Sequence, residues 1–96
     1  MYLVIRKFSG MRTVAEAARR AESGIGKLMK ESPGFLGYYI FDAGNGIAGS
    51  VTLFATEQAA HDANEKALTW VHGSLVDLMD GEPEVVTGEV LAAVLP

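Results

Sequence analysis

The chain has 96 residues, of which 49% are hydrophobic and 21% are charged, and it carries a net charge of −4. This composition is typical of one small folded domain and excludes a disordered chain. The lack of cysteine excludes disulfides, thiolate metal sites and a cysteine nucleophile, and the negative charge argues against a nucleic-acid partner.

The N-terminal segment predicts the first strand of a single domain that spans residues 1–96. Residues 2–8 are mostly β-branched, aromatic or otherwise apolar, and Gly10 follows shortly after. Arg6 and Lys7 interrupt the apolar run too early for a signal peptide or a membrane span. Because no other segment reaches membrane length and cysteine is absent, we expect a cytoplasmic protein without membrane contact.

A helix is predicted after this strand. Thr13 and Glu16 have the spacing of a capping box, and apolar residues then recur at steps of three and four. The stripe consists of Val14, Ala17, Ala18, Ala21, Ile25, Leu28 and Met29. Gly24 and Gly26 each weaken a helix by about 1 kcal/mol relative to Ala, which predicts a kink at this point.

Two strands and a tight turn are predicted in the middle of the chain. Phe35 to Asp42 is too aromatic and too short for another helix, and Ile47 to Ala55 is again typical of a strand. The intervening residues 43–46 (Ala-Gly-Asn-Gly) tolerate positive φ. The pattern therefore predicts an antiparallel hairpin.

A second helix and a fourth strand complete the chain. Thr56 is a good N-cap, and small and apolar residues mark one helical face from there to about Met79. Residues 80–83 (Asp-Gly-Glu-Pro) end the helix, and Val85 to Leu95 is predicted to be a strand.

The order strand, helix, hairpin, helix, strand is that of the ferredoxin-like βαββαβ fold, an α+β domain with two helices on one face of a four-stranded antiparallel sheet. In the second and fourth strands, both sets of alternate side chains are apolar. The sets are Phe35, Tyr39 and Phe41 against Leu36, Tyr38 and Ile40, and Val85, Leu91 and Leu95 against Val86, Val90 and Val94. Apolar patches above about 600 Å² are rare on soluble monomers, so we expect a homodimer that covers the open sheet face.

Four segments carry a family resemblance. Residues 32–38 (SPGFLGY) precede the hairpin, residues 50–54 (SVTLF) lead into residues 56–60 (TEQAA), and residues 87–90 (TGEV) lie in the last strand. Over nearly its whole length the chain resembles the dimeric α/β barrel superfamily, and more narrowly its antibiotic-biosynthesis-monooxygenase-like branch. The resemblance implies two sheets paired face to face. Some branches oxidise aromatic polyketides or quinols without metal or flavin, and others bind haem or isomerise lactones.

The resemblance to cofactor-independent oxygenases directs attention to the second helix. Such chemistry requires a dry cavity for a phenolic substrate, donors that stabilise its anion, and a proton acceptor. Asn64 and Trp70 resemble positions that the aromatic-polyketide oxygenases use. His72, His61 or a tyrosine is the candidate for exchanging the proton. The hypothesis requires a cavity of roughly 300 Å³ or more bordered by Asn64 or Trp70. In the alternative, Trp70 is simply a core residue and Asn64 a satisfied buried amide.

Tyr38, Tyr39 and His61 are candidate ligand-binding residues. Adjacent tyrosines in a strand project to opposite faces, so only one of them can line a pocket within the chain. In the alternative, both fill apolar layers. His61 and His72 lie on one flank of the helix, about 16 Å apart at the rise of an α-helix, which is too far to hold one ion. No metal site is therefore expected.

The haem-degrading branch differs from this chain at its functional positions. That branch uses a histidine near the end of the second helix and an asparagine in the first strand, whereas Met79, Asp80, Arg6 and Lys7 occupy those regions here. No cofactor is therefore expected. Two hypotheses stay open: a cofactor-free oxygenase or isomerase acting on an apolar, aromatic small molecule, and a noncatalytic homodimer that binds a small molecule or a protein.

Overall fold

The chain forms one four-stranded antiparallel sheet in the computed structural model, which describes residues 1–96. The elements are, in chain order, β1 (Tyr2–Phe8), α1 (Val14–Ser23), α2 (Ile25–Lys30), β2 (Phe35–Gly44), β3 (Ile47–Phe54), α3 (Glu57–Ser74) and β4 (Glu84–Glu89). The strand order is β2-β3-β1-β4, and the helices cover one face. The predicted ferredoxin-like fold is confirmed.

Side-chain alternation in the central strands separates a side of the sheet that faces the helices from an open face. Val4 and Phe8 of β1 and Phe54 of β3 are buried on the helix-facing side, where they meet the small residues of α1 and α3. Ala60, Ala63 and Ala67 of α3 let this helix lie close to the sheet. The core therefore lies entirely on one side of the sheet.

The predicted first helix is divided in two at Gly24, as the paired glycines suggested. The indole ring of Trp70 on α3 occupies the space beside Gly24, where a Cβ atom would lie 2.4 Å from the ring. The predicted capping box is wrong, because the Thr13 side chain makes no cap hydrogen bond. The Glu16 carboxylate instead accepts hydrogen bonds from Arg19 and Arg20.

We expect Gly24→Ala to lower the free energy of unfolding by about 2 kcal/mol, because the new methyl group would overlap the Trp70 ring. Gly26→Ala is the matched control: its Cβ would meet only the Ala21 carbonyl oxygen, at 3.7 Å, so stability should rise by up to about 1 kcal/mol. Urea unfolding of both variants measures the difference. Equal effects would contradict the packing of Trp70 on Gly24.

The predicted hairpin is confirmed, but β2 distributes its side chains differently from the prediction. Asn45 and Gly46 both have positive φ in the turn. An irregularity between Phe35 and Gly37 places Phe35 opposite Phe54 on the helix-facing side. Because of this extra residue, Phe35 joins Tyr38 and Ile40, whereas Tyr39 and Phe41 lie on the open face. The predicted grouping of Phe35 with Tyr39 is therefore wrong.

The second predicted helix, α3, is shorter than expected. Thr56 caps it as predicted, since its hydroxyl accepts a hydrogen bond from the Ala59 N–H at 3.2 Å. The helix ends at Ser74 rather than near Met79, after two poor helix formers, Gly73 and Ser74. Met79 is buried instead in the irregular segment that follows.

The fourth strand is also shorter than predicted, because β1, the only strand beside it, does not extend further. β4 pairs with β1 as far as Glu89 opposite Tyr2, and the Val90 N–H donates to the Met1 carbonyl oxygen at 2.9 Å. Residues 91–96 extend past the start of β1 and form no strand. Leu91, Val94 and Leu95 of this segment are almost fully exposed.

The open face carries an apolar row that crosses the sheet. Strand registers align Tyr39 of β2, Val51 of β3, Ile5 of β1 and Val86 of β4. The two outer members, Tyr39 and Val86, are 64% and 65% exposed. None of the three helices combines the length and apolar character that a membrane crossing requires.

Candidate functional site

A small group of polar side chains lies on the helix-facing side of the sheet. Arg6, Ser50 and Thr52 are the buried polar or charged residues of the chain. Asn64 of α3 and Tyr38 of β2 border them. We call these five residues the Arg6 cluster. It interrupts an otherwise apolar core, in which such groups are costly unless they are hydrogen-bonded.

Arg6 is the centre of the cluster. Its side chain is positioned by β1, between Ser50 of β3 and Val85 of β4 in the strand register. The guanidinium Nε donates to the Asn64 Oδ1 at 2.8 Å, and Nη1 donates to the Thr52 hydroxyl at 3.0 Å. Nη2 is buried and has no hydrogen-bond partner. Arg6 is thus held at two of its three nitrogens by neutral groups.

No carboxylate compensates the charge of Arg6. The salt bridges of the protein involve the N-terminus, Arg12, Arg19, Arg20 and the two histidines, and none includes Arg6. Burial lowers the pKa of the Arg6 guanidinium, although an arginine remains protonated in proteins. The cluster therefore places one desolvated positive charge among uncharged hydrogen-bonding groups.

Tyr38 contributes a phenol hydroxyl to the cluster. It lies opposite Thr52 in the β2–β3 register. Burial raises the pKa of Tyr38 to about 12, against the opposing effect of the Arg6 charge. At neutral pH the phenol therefore stays protonated, so it can donate a hydrogen bond but is a poor proton acceptor.

A spectrophotometric titration should detect one tyrosine that ionises near pH 12, and Tyr38→Phe should remove this component. Because the folded-state pKa is raised above the ordinary value of 10.0, the associated stability is fully present below pH 10 and is lost as the pH rises towards 12. The Tyr39→Phe variant is the control, since Tyr39 lies on the open face. Loss of the late component in that variant would contradict the assignment.

The cavity beside the cluster is small; we call it the enclosed cavity because α1 and α2 cover part of it. It holds about 20 Å³, close to the volume that one water occupies, and its lining is mostly apolar. Tyr38 and Ser50 are its members from the Arg6 cluster. No cavity of roughly 300 Å³ is bordered by Asn64 or Trp70, because α1 and α2 cover the sheet here. The condition that the oxygenase hypothesis sets is therefore not met unless these helices move.

Two open depressions on the surface have room for a small molecule. One holds about 310 Å³ and is lined by Glu22, Gly26, Tyr38 and Ile40. Tyr38 and Ile40 also line the enclosed cavity, so this depression lies directly outside it. The other holds about 320 Å³ and includes His72 and Glu82.

The structure does not bring the three predicted catalytic residues together. Asn64 contacts Arg6 of β1, whereas Trp70 packs beside Gly24. His72 is exposed, and its Nε2 lies 2.5 Å from a Glu82 carboxylate oxygen. Only Asn64 among them belongs to the Arg6 cluster.

The three predicted ligand-binding residues are also separated. Tyr38 lines the enclosed cavity, and Tyr39 projects from the open face, as expected for adjacent residues of a strand. His61 is exposed, with its ring 5.6 Å from that of Tyr2 and its Nε2 3.4 Å from Glu57. One small ligand inside the chain could therefore contact Tyr38 but not Tyr39.

Arg6, Ser50 and Thr52 are the residues that sequence reasoning did not select as a site. The sequence of β1 did indicate Arg6. Val4, Arg6 and Phe8 are alternate residues of the strand and therefore lie on the same face. A charged residue between two core residues indicates a buried charge. Its partners could not be found in this way, because they come from β3 and α3.

Comparison with solved structures identifies the fold. The chain shares its fold with antibiotic-biosynthesis-monooxygenase-like proteins, so the resemblance seen in the sequence is confirmed for the fold. No family model and no curated protein sequence matches the chain.

Three solved structures illustrate the similarity. A monooxygenase from the gene ActVA-Orf6 of Streptomyces coelicolor, in complex with nanaomycin D, superposes with a TM-score of 0.79 at 22% identity, covering 99% of this chain and 91% of that one. SnoaB, a cofactor-independent oxygenase from Streptomyces nogalater, gives 0.76 at 11% identity, covering 97% and 95%. NE2512, a protein of unknown function from Nitrosomonas europaea, gives 0.77 at 18%, covering 99% and 93%.

Proposed function

We propose that the protein is a homodimeric, cofactor-independent oxygenase that acts on a phenolic or quinol-like aromatic molecule. The observation that carries the proposal is the Arg6 cluster, which sets hydrogen-bond donors in an apolar interior. Two proteins of the same fold, described as a monooxygenase and as a cofactor-independent oxygenase, support the reaction class.

The proposed reaction needs no electrons beyond those of the substrate. The substrate loses a proton, the resulting anion reduces O₂, one oxygen atom enters the product, and the other leaves as water with the two hydrogens removed from the substrate. Donors that stabilise the anion accelerate such a reaction. Because Oδ1 of Asn64 is occupied by Arg6, its Nδ2 group is left to donate to the substrate.

The substrate ring is proposed to enter through the depression beside Tyr38. The enclosed cavity of about 20 Å³ cannot hold a ring, but the depression outside it offers about 310 Å³. The helix is interrupted at Gly24, and Gly26 is a poor helix former. Both glycines weaken α1 and α2 where these helices cover this region. Displacement of α2 would join the two spaces. In this arrangement Trp70 would help to hold α2 in place, because its ring packs against Gly24.

Oxygen uptake with a panel of quinols and phenols tests the proposal. We expect Asn64→Ala to lower kcat/KM by roughly 100-fold, as removal of one anion-stabilising donor does in other enzymes. Trp70→Ala should also lower activity, whereas Lys66→Ala, at an exposed position of the same helix, is the control. Undiminished activity in Asn64→Ala would refute the assignment of this residue, and His72→Ala tests the proton acceptor predicted from sequence.

The alternative is a noncatalytic homodimer that binds a small molecule or a protein. The small volume of the enclosed cavity favours it. Binding of an aromatic ligand without oxygen uptake across the whole panel would establish this alternative in place of the oxygenase.

The homodimer is proposed to form through the open face. The row Tyr39, Val51, Ile5 and Val86 presents apolar side chains across all four strands, and Phe41 extends the apolar surface. A surface of this kind is costly in water, and a second copy offers a matching one.

A further inference from the structure

Arg6 is the most unusual group in the protein, because its charge is buried and only partly hydrogen-bonded. The side chain is 1% exposed, and Nη2 has no partner. Buried charges in proteins are normally paired with an opposite charge, and an unpaired donor in an apolar interior costs stability.

The surroundings of Arg6 offer only neutral acceptors. Asn64 and Thr52 each accept one hydrogen bond, and the phenol of Tyr38 stays protonated. Relief by loss of the proton is not open to arginine. The complement that this site lacks is therefore one negatively charged oxygen.

We propose that Arg6 is an anion-binding residue, and that the natural ligand is an apolar small molecule carrying one ionised oxygen, a carboxylate or a phenolate, which accepts from Nη2. The inference deepens the proposed function and rests on it for the position of the ligand. It adds the charge of the ligand and the residue that selects it.

The neighbouring cavity indicates how such a ligand would lie. Ser50, the cross-strand neighbour of Arg6, lines this cavity together with Tyr38 and apolar residues of α1. A ring entering past Tyr38 would contact apolar groups. Arg6 does not itself line the cavity, so the charged substituent would have to reach the guanidinium beside Ser50. A neutral ligand of the same shape could accept a hydrogen bond from Nη2 through a carbonyl oxygen, but it would leave the charge of the guanidinium uncompensated. The site should therefore discriminate by charge.

Calorimetric titration with naphthoate and its neutral analogue naphthamide tests the inference at equal ring size. We expect naphthoate to bind at least tenfold more tightly than naphthamide. Arg6→Met, which keeps the length of the side chain, should abolish this preference. Arg19→Met, which removes an exposed arginine, should retain it.

Asn64→Asp provides a sharper variant. It keeps an oxygen acceptor for the Arg6 Nε but places a carboxylate beside the guanidinium, so it should reduce naphthoate binding at least tenfold in a protein that is still folded. Preserved naphthoate selectivity in either Arg6→Met or Asn64→Asp would overturn the inference.

A measurement on the unmodified protein avoids dependence on the folding of variants. The side-chain N–H resonances of Arg6 should shift on addition of naphthoate, and at the same concentration they should shift much less with naphthamide. Repeating the titration with a nitrophenolate separates the two sources of ionised oxygen, since a phenolate ligand predicts the stronger response there. Absence of any Arg6 shift with both anions would overturn the inference.

Failure of the inference is distinguishable from failure of the proposed function. Charge-selective binding without oxygen uptake would retain the anion site and remove the oxygenase. Oxygen uptake that is equally fast in Arg6→Met would retain the oxygenase and remove the anion site.

Discussion

Tyr39→Asp is expected to convert the proposed homodimer to a monomer at micromolar concentration. Tyr39 projects from the open face, where it is 64% exposed in the single chain, and it begins the apolar row that ends at Val86. In a symmetric interface the substitution buries two carboxylates. We expect the dissociation constant to rise by roughly 100-fold or more, since a buried carboxylate without a partner is strongly unfavourable.

Light scattering across a concentration series measures this change. Thr69→Glu adds a charge on the exposed side of α3 and is the matched control, which should remain dimeric. Val86→Asp should behave like Tyr39→Asp, because it lies at the other end of the same row. A wild-type protein that is monomeric at these concentrations would contradict the dimer, and a Tyr39→Asp protein that is still dimeric would place the interface elsewhere.

Asn64→Leu is expected to lower the free energy of unfolding by about 3 kcal/mol. Leucine has a similar volume, so little space is left behind, but the Nε of Arg6 loses its acceptor at 2.8 Å. Arg6 is buried and cannot reach water to replace this hydrogen bond. The cost therefore arises from a desolvated charge with a second unpaired donor.

The same substitution in an Arg6→Met background isolates this contribution. With the charge removed, Asn64→Leu should cost less than about 1 kcal/mol, giving a coupling energy of about 2 kcal/mol in a double-mutant cycle measured by urea unfolding. Lys66→Ala should change stability by less than about 0.5 kcal/mol as the surface control. Equal costs in both backgrounds would mean that Asn64 acts on stability through some contact other than Arg6.

The Arg6→Met variant by itself tests whether Arg6 serves function or stability. Replacing a buried charge by an apolar side chain of similar size is often neutral or stabilising. A stable Arg6→Met protein without anion binding would therefore identify Arg6 as a residue kept for function at the expense of stability.

The two faces of the sheet have separate proposed roles. The open face is proposed to form the dimer, and the helix-facing side contains the Arg6 cluster. The adjacent residues Tyr38 and Tyr39 lie on opposite faces. Tyr38 lines the cavity, and Tyr39 belongs to the apolar row of the open face. Substitutions at Tyr39 and at Asn64 should accordingly alter association and stability independently of one another.

The sequence by itself determined the order of the elements, the hairpin and the break in the first helix. β-Branched and aromatic residues indicated β1 and β3, the Asn45-Gly46 turn indicated the hairpin, and the paired glycines marked the break between α1 and α2. These features depend on residues close together in the chain. Local spacing and backbone preference are therefore sufficient to predict them.

Only the tertiary structure decided where the elements end and which polar groups meet. β4 ends at Glu89 because β1 begins at Tyr2, a limit that the apolar residues beyond it do not reveal. The Arg6 cluster joins residues from three strands and a helix, and the hydrogen bond from Arg6 to Asn64 spans 58 positions. Such contacts follow from how strands and helices pack, which no local pattern contains.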